Sequence, residues 1–163
     1  YYLGINNSCM DVTFVSEDYQ PGRIYRGMAS RVKSVPGYDY VGEFVAFDPL
    51  TGQRAWEYRS PGGVAMTASA LATAGGVVFG GTADRRLFAV DAENGDLLWE
   101  TRLNGDVSGA PVTFEVDGRQ YLAVGAGGRI AQTTSFARFT DTNIPQGSGV
   151  MWVFALPDRV SGQ

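Results

Sequence analysis

The chain has 163 residues, is 44% hydrophobic and carries a net charge of −4, which is length enough for one domain with a sizeable core. The acidic balance and the lack of any Lys/Arg run argue against a nucleic-acid or anionic-membrane surface. The absence of histidine removes every His-based general base, His-containing zinc site and c-type haem signature.

Twenty-two glycines and seven prolines punctuate short runs rich in β-branched and aromatic residues. Helical periodicity is almost missing, so an all-β chain with many tight turns is expected. The first residues, Tyr1-Tyr2-Leu3-Gly4, are neither an initiating Met nor a signal peptide. No stretch approaches the roughly 18 apolar residues of a membrane span. A segment of something longer is expected, with residues 1–163 forming part of one domain.

In chain order, Asn6-Asn7-Ser8-Cys9-Met10-Asp11-Val12-Thr13-Phe14 reads as a polar corner followed by a strand. Its amides either contact a ligand or satisfy their own backbone in a turn. Cys9 cannot form an internal disulfide, and with no His to activate it, it is expected to be a small buried hydrophobe. Tyr19 to Tyr40, with Pro21-Gly22, Arg26-Gly27 and Pro36-Gly37, reads as an irregular connection with solvated charges.

The organising feature comes next. Val45-Ala46-Phe47-Asp48-Pro49-Leu50-Thr51-Gly52-Gln53-Arg54-Ala55-Trp56 is repeated as Phe88 to Trp99, with Ala46, Asp48, Gly52 and Trp56 recurring as Ala89, Asp91, Gly95 and Trp99. The period of about 43 residues lies in the range of four-stranded propeller blades. Each copy predicts a strand, a turn whose Asp accepts backbone N–H bonds and whose Gly supplies positive φ, and a second strand ending in Trp. The two tryptophans are expected in the wedges between neighbouring sheets.

Small residues from Ala65 to Ala72 suit a crowded inner strand. Asp117-Gly118 predicts a further hairpin turn between Val112 and Val124. After Gly125-Ala126-Gly127-Gly128 the repeat breaks. Residues 129–147 read as a long loop, and Met151 to Pro157 reads as the first strand of another repeat. About three blades result where a closed ring has at least four. An open arc exposes sheet edges and apolar faces, so completion by another polypeptide is expected.

None of the glycine-rich segments has phosphate-loop spacing, and there is no Gly-x-Ser-x-Gly elbow, cysteine pair or carboxylate cluster of metal-site spacing. The Gly4-Ile5-Asn6-Asn7-Ser8-Cys9-Met10-Asp11 segment, the two Ala-x-Asp-x-x-x-Gly-x-x-x-Trp motifs and the Leu71–Phe79 strand pair are joined by the Asp117–Val124 hairpin with Gly127-Gly128 and by the closing Val153-Phe154-Ala155-Leu156-Pro157. Together they resemble the C-terminal part of the pyrroloquinoline quinone (PQQ) dependent alcohol dehydrogenases. These are eight-bladed periplasmic quinoproteins. The run Met10 to Tyr19 is similar to the members that oxidise sugars and polyols, of the L-sorbose dehydrogenase type.

The resemblance implies that Asn6 hydrogen-bonds the quinone edge of PQQ and that Gly127 and Gly128 give the backbone close approach to the cofactor. Where methanol-oxidising members have tryptophans, this chain has Thr67 and Arg129, which suits a roomier, more polar pocket. Arg129 is either a partner of a PQQ carboxylate or sugar hydroxyl, or a solvated arginine. The calcium ligands and the catalytic Asp have no counterpart here, so no catalytic or metal residue is expected in this segment. The resemblance further implies an alcohol, polyol or sugar substrate, an electron acceptor such as cytochrome c or a quinone, and the remaining N-terminal blades as partner. The rival reading is a non-catalytic propeller scaffold that binds other proteins.

Overall fold

The computed structural model describes residues 1–128 and 148–155. Among these residues, apart from one short 3-10 turn at Pro61–Gly63, every regular element is a strand. They are β1 (Tyr2–Asn6), β2 (Cys9–Phe14), β3 (Met28–Lys33), β4 (Gly42–Phe47), β5 (Arg54–Tyr58), β6 (Leu71–Ala72), β7 (Val77–Gly81), β8 (Arg86–Asp91), β9 (Leu97–Arg102), β10 (Val112–Val116), β11 (Arg119–Ala126) and β12 (Val150–Ala155). Antiparallel pairing gathers them into three blade-like sheets, β1-β4-β5, β6-β7-β8-β9 and β10-β11-β12, plus a separate ribbon, β2-β3. No helix among the described residues is long and apolar enough to cross a membrane.

Both copies of the repeat fold as strand, turn and strand as expected, but each second strand runs past its tryptophan, to Tyr58 and Arg102. The Asp48 carboxylate accepts the Leu50 N–H at 2.8 Å and the Thr51 hydroxyl at 3.0 Å, while Asp91 accepts the Glu93 N–H at 2.8 Å. Gly52 and Gly95 take φ of +68° and +80° and donate to Asp48 O and Asp91 O. Even the irregularity recurs, since the register shifts at Ala46/Phe47 in the first hairpin and at Ala89/Val90 in the second. The Asp117-Gly118 turn also forms, with positive φ at both residues, as a tight two-residue hairpin requires.

The sheets stack face to face through two apolar layers. Phe44, Ala46 and Trp56 of the first sheet meet Val78, Phe88 and Val90 of the second; Leu87 of the second, with Leu103 and Val107 of the connection that follows it, meets Leu122 and Val124 of the third. Trp56 is 8% exposed, and its indole N–H donates to Ala92 O at 3.0 Å in the turn of the next sheet. A Cβ on Gly95 would lie 2.7 Å from that indole, so the motif glycine is at once the turn former and the seat of the neighbouring tryptophan. Trp99 stands edge-on to Phe154, centroids 5.6 Å apart, and is 39% exposed. The turn expected to receive it follows Ala155 and lies outside the described residues.

Three expectations are corrected. Asn6, read as the start of a polar corner, instead ends the strand Tyr2–Asn6, which pairs with β4 from Tyr2↔Ala46 to Asn6↔Gly42. Met28–Lys33, inside the supposedly irregular connection, is also a strand, paired with β2. Cys9 is exposed, because β2 belongs to a two-stranded ribbon whose described residues have no sheet packed over them. Residues 129–147, expected as a long loop, lie outside the described residues, as does the stretch 156–163.

Replacing Trp56 by Ala is expected to destabilise the full-length protein by roughly 3–5 kcal/mol, and Trp99→Ala by clearly less, read as shifts in the urea midpoint. A second expectation concerns acid. Hydrogen bonds from the Leu50 backbone N–H and then the Thr51 hydroxyl hold the Asp48 carboxyl below its ordinary value. Its contribution is therefore present above the usual Asp range and is lost as pH falls through the lowered folded value. Asp48→Asn should lower the melting temperature modestly at neutral pH and flatten that part of the acid decline, so that the two proteins converge at low pH.

Candidate functional site

The strand ends and the inter-sheet crossings carry the candidate residues. Gly4 faces Phe44 and Gly81 faces Leu87, each two residues before the repeat alanine. Ala68 N–H donates to Gly81 O at 3.2 Å and Gly109 N–H to Gly125 O at 3.0 Å; Ala83 N–H donates to Ala65 O at 2.9 Å and Gly127 N–H to Asp106 O at 2.8 Å. Register and hydrogen bonding thus make Gly4, Gly81 and Gly125 equivalent, and with them Asn6, Ala83 and Gly127, two residues further on. Two of the sequence-predicted site residues, Asn6 and Gly127, therefore stand at one level on the first and third sheets.

Asn6 is tied to the crossing segment. Its amide nitrogen donates to Met66 O and its amide oxygen accepts the Met66 N–H, both at 2.8 Å. This reciprocal pair fixes which end of the amide is which and leaves one N–H of the side chain for another acceptor. The next residue, Thr67, has its N–H on Gly81 O at 2.9 Å, while its hydroxyl is buried with no hydrogen-bond partner among the described residues. An unpaired buried hydroxyl costs about 1–3 kcal/mol. Asn6 and Thr67 are thus brought to the same corner, beside a groove of about 430 Å³ between Tyr2–Gly4 and Met66–Ala70.

Gly127 is placed by a different crossing. Its carbonyl accepts the Ser108 hydroxyl at 3.3 Å, and a Cβ on Gly105 would lie 2.6 Å from the Gly127 Cα. With φ of +83°, a side chain at Gly127 would meet Ser148 O at 2.5 Å. Gly128, at φ +95°, would place a Cβ in open space. The first glycine is therefore needed for packing and the second presents bare backbone. Arg129 lies outside the described residues.

Reasoning from the residues alone missed Met66 and the 105–108 crossing, which act through backbone groups. The signal was an unmatched repetition: Ala65-Met66-Thr67-Ala68 is structurally equivalent to Asp106-Val107-Ser108-Gly109, although the two share no residue. It also missed the polar ties that hold β4 to β5 and β8 to β9. In the first sheet, Glu43, 3% exposed, accepts two Arg54 N–H bonds and one from Asn7 at 3.2 Å. In the second, Arg86 bridges Asp84 at 3.1 Å and Glu100 at 2.7 Å. Each tie sits beside the strand end that carries Asn6 or its equivalent. Among the described residues no three His, Cys, Asp or Glu side chains converge as a metal site.

Residues 59–122 match the PQQ family described as the glucose/ethanol/alcohol dehydrogenase, beta-propeller domain. The matched stretch takes in β6 to β10 and the first half of β11, and is similar to PQQ-type propeller blades. Over 96% of its length the chain is 38% identical to the 1-butanol dehydrogenase (quinone) of Thauera butanivorans and 35% identical to the quinoprotein ethanol dehydrogenase of Pseudomonas aeruginosa, covering 25% of each. The structure resembles a europium-containing methanol dehydrogenase with a TM-score of 0.78 and 31% identity, over 95% of this chain and 30% of that one. The chain spans about a quarter of the length of the curated relatives it matches.

Asn6→Asp removes the donor to Met66 O and turns a carboxylate toward that carbonyl, so a stability loss of about 1–3 kcal/mol is expected. Gly127→Ala, which strains a left-handed residue against Ser148 O, is expected to lower stability by at least as much. Both are checked by chemical denaturation of the full-length protein, with Gly128→Ala as the milder comparison.

Proposed function

We propose that this chain is the C-terminal segment of a PQQ-dependent dehydrogenase that oxidises alcohols, polyols or sugars, and that it forms one wall of the cofactor chamber. Support comes first from the relatives, which are dehydrogenases over nearly the whole of this chain. The observation that carries the residue assignment is the corner where the oriented Asn6 amide, with one N–H to spare, stands next to the Thr67 hydroxyl, partnerless among the described residues.

That corner fits one edge of a flat, oxygen-rich quinone. Asn6 would donate to a quinone oxygen, held in orientation by Met66, and Thr67 would supply a second hydroxyl donor or acceptor. Gly127 and Gly128 would let the main chain approach without a Cβ in the way, and Arg129 would supply a cation for a PQQ carboxylate or a sugar hydroxyl. When bound, PQQ supplies the two-electron acceptor for the substrate C–H. An amide donor placed beforehand favours the added charge on that oxygen without reorganisation.

The calcium ligands and the carboxylate that takes the hydroxyl proton are assigned to blades outside these residues. A hydroxyl at position 67 suits polyol or sugar substrates better than an aromatic wall would. The electron acceptor is assigned as a cytochrome c or a quinone, and the location as the periplasm.

The full-length protein supplied with PQQ and calcium is expected to show near-ultraviolet cofactor absorbance and dye-linked oxidation of at least one alcohol, polyol or sugar. Asn6→Asp is expected to slow turnover beyond what its stability loss explains at low temperature. A colourless protein with no dye-linked oxidation across those substrate classes would reject the enzyme reading in favour of a binding scaffold.

A further inference from the structure

The ribbon β2–β3 is an insertion with no counterpart in the neighbouring sheet. Between β7 and β8 the chain needs only residues 82–85, whereas between β1 and β4, the equivalent pair, it runs through residues 7–41. The root of the insertion is built into the blades. Asn7 N–H donates to Val41 O at 2.7 Å, Val41 N–H to Gly63 O at 2.8 Å, and Val41 packs with Val64, Ala65 and Ala83. The ribbon therefore rises from the strand end that carries Asn6, beside the Gly63–Ala65 start of the crossing.

Its register sorts the side chains into two faces. Met10, Val12 and Phe14 share one face with Val32, Ser30 and Met28 opposite them; Cys9, Asp11 and Thr13 share the other with Lys33, Arg31 and Ala29. The polar face is internally satisfied by the Asp11–Lys33 ion pair. The apolar face is open, with Met10 53%, Val12 41% and Phe14 87% exposed. A lone two-stranded ribbon is marginal in water, and an uncovered apolar strand face marks an interface.

We propose that this face is covered by the apolar strand face of another blade of the same propeller, contributed by the part of the polypeptide outside these 163 residues. The proposal rests on reading the chain as a segment of a longer enzyme. Two observations favour that occupant. The methanol dehydrogenase that matches 95% of this chain has 70% of its own length beyond the match, so several blades are available to reach the ribbon. The connection between the two strands carries Glu17 and Asp18 against Arg23 and Arg26, a neutral balance suited to a standing apolar contact rather than to a charge-steered encounter with a separate protein. The ribbon thus acts as a clasp across the end of the ring beside Asn6.

The test uses full-length protein with p-benzoylphenylalanine in place of Phe14, irradiated and digested for mass spectrometry. The expected result is an intramolecular cross-link, at monomer mass, to a peptide outside residues 1–163. A cross-link between two chains, a cross-link within residues 1–163, or none would overturn the proposal. In parallel, Val12→Asp should speed amide hydrogen exchange across residues 9–33 severalfold, while Arg31→Gln on the polar face should not; unchanged exchange in Val12→Asp would also overturn it. Neither readout needs bound cofactor. An inactive protein that still gives the expected cross-link would sink the enzyme reading and leave the clasp standing.

Discussion

The seating of one blade's tryptophan in the next blade's turn is the contact on which the arrangement depends. Trp56 reaches across to Ala92 O and lies on Gly95, where no side chain could be tolerated. Tyr2 reinforces it by donating its hydroxyl to the same carbonyl at 3.2 Å and packing its ring 5.7 Å from the indole. Because the acceptor is a backbone carbonyl in a turn, the contact fixes the relative position of two sheets and not merely the burial of a large ring. An indole N–H left unpaired in such a place would cost about 1–3 kcal/mol, so the two sheets are registered as well as packed.

Everything at the candidate corner follows from that registration. Once adjacent sheets are fixed, their crossings run over the ends of β1, β7 and β11 at one level, and glycines at 4, 81 and 109 allow the approach. A Cβ on Gly81 would lie 2.5 Å from Val107, and one on Gly4 would lie 3.0 Å from the Met66 Cβ. Close approach then lets Asn6 use both ends of its amide on the Met66 backbone. The buried Glu43 and Asp84 ties keep the adjoining strand ends from fraying. Buried ion pairs of this kind are weak arguments for net stability but strong ones for a defined geometry, since breaking one leaves a charge unpaired in the interior.

Much of the scaffold was legible in the residues because it is local and repeated. The Asp and Gly of each turn, the bulge after each repeat alanine and the Asp117-Gly118 hairpin are dictated by neighbours in sequence. Tyr2–Asn6 was harder to read. It pairs with β4 more than thirty residues away, and the asparagines at its end suggested a corner. Met28–Lys33 carries Arg31 and Lys33 on its polar face, and the Pro-Gly pairs around it masked a strand that only its partner β2 defines. Cys9 was misjudged for the same reason, since a small apolar residue is buried only when a second layer covers its strand.

Taken by itself, the sequence determined the all-β class, the blade period, the turn chemistry and the resemblance that led to Asn6, Gly127 and Gly128. These rest on short-range backbone preferences and on spacing, which a linear string records. Only the tertiary structure decided that Asn6 and Gly127 hold equivalent positions on the first and third sheets, that the Asn6 amide is already engaged by Met66, and that the Thr67 hydroxyl is buried without a partner among the described residues. Those facts depend on backbone groups of separate sheets meeting at a few ångströms. Backbone carbonyls and N–H groups are the same in every residue, so no pattern of side chains along the chain announces which of them will meet.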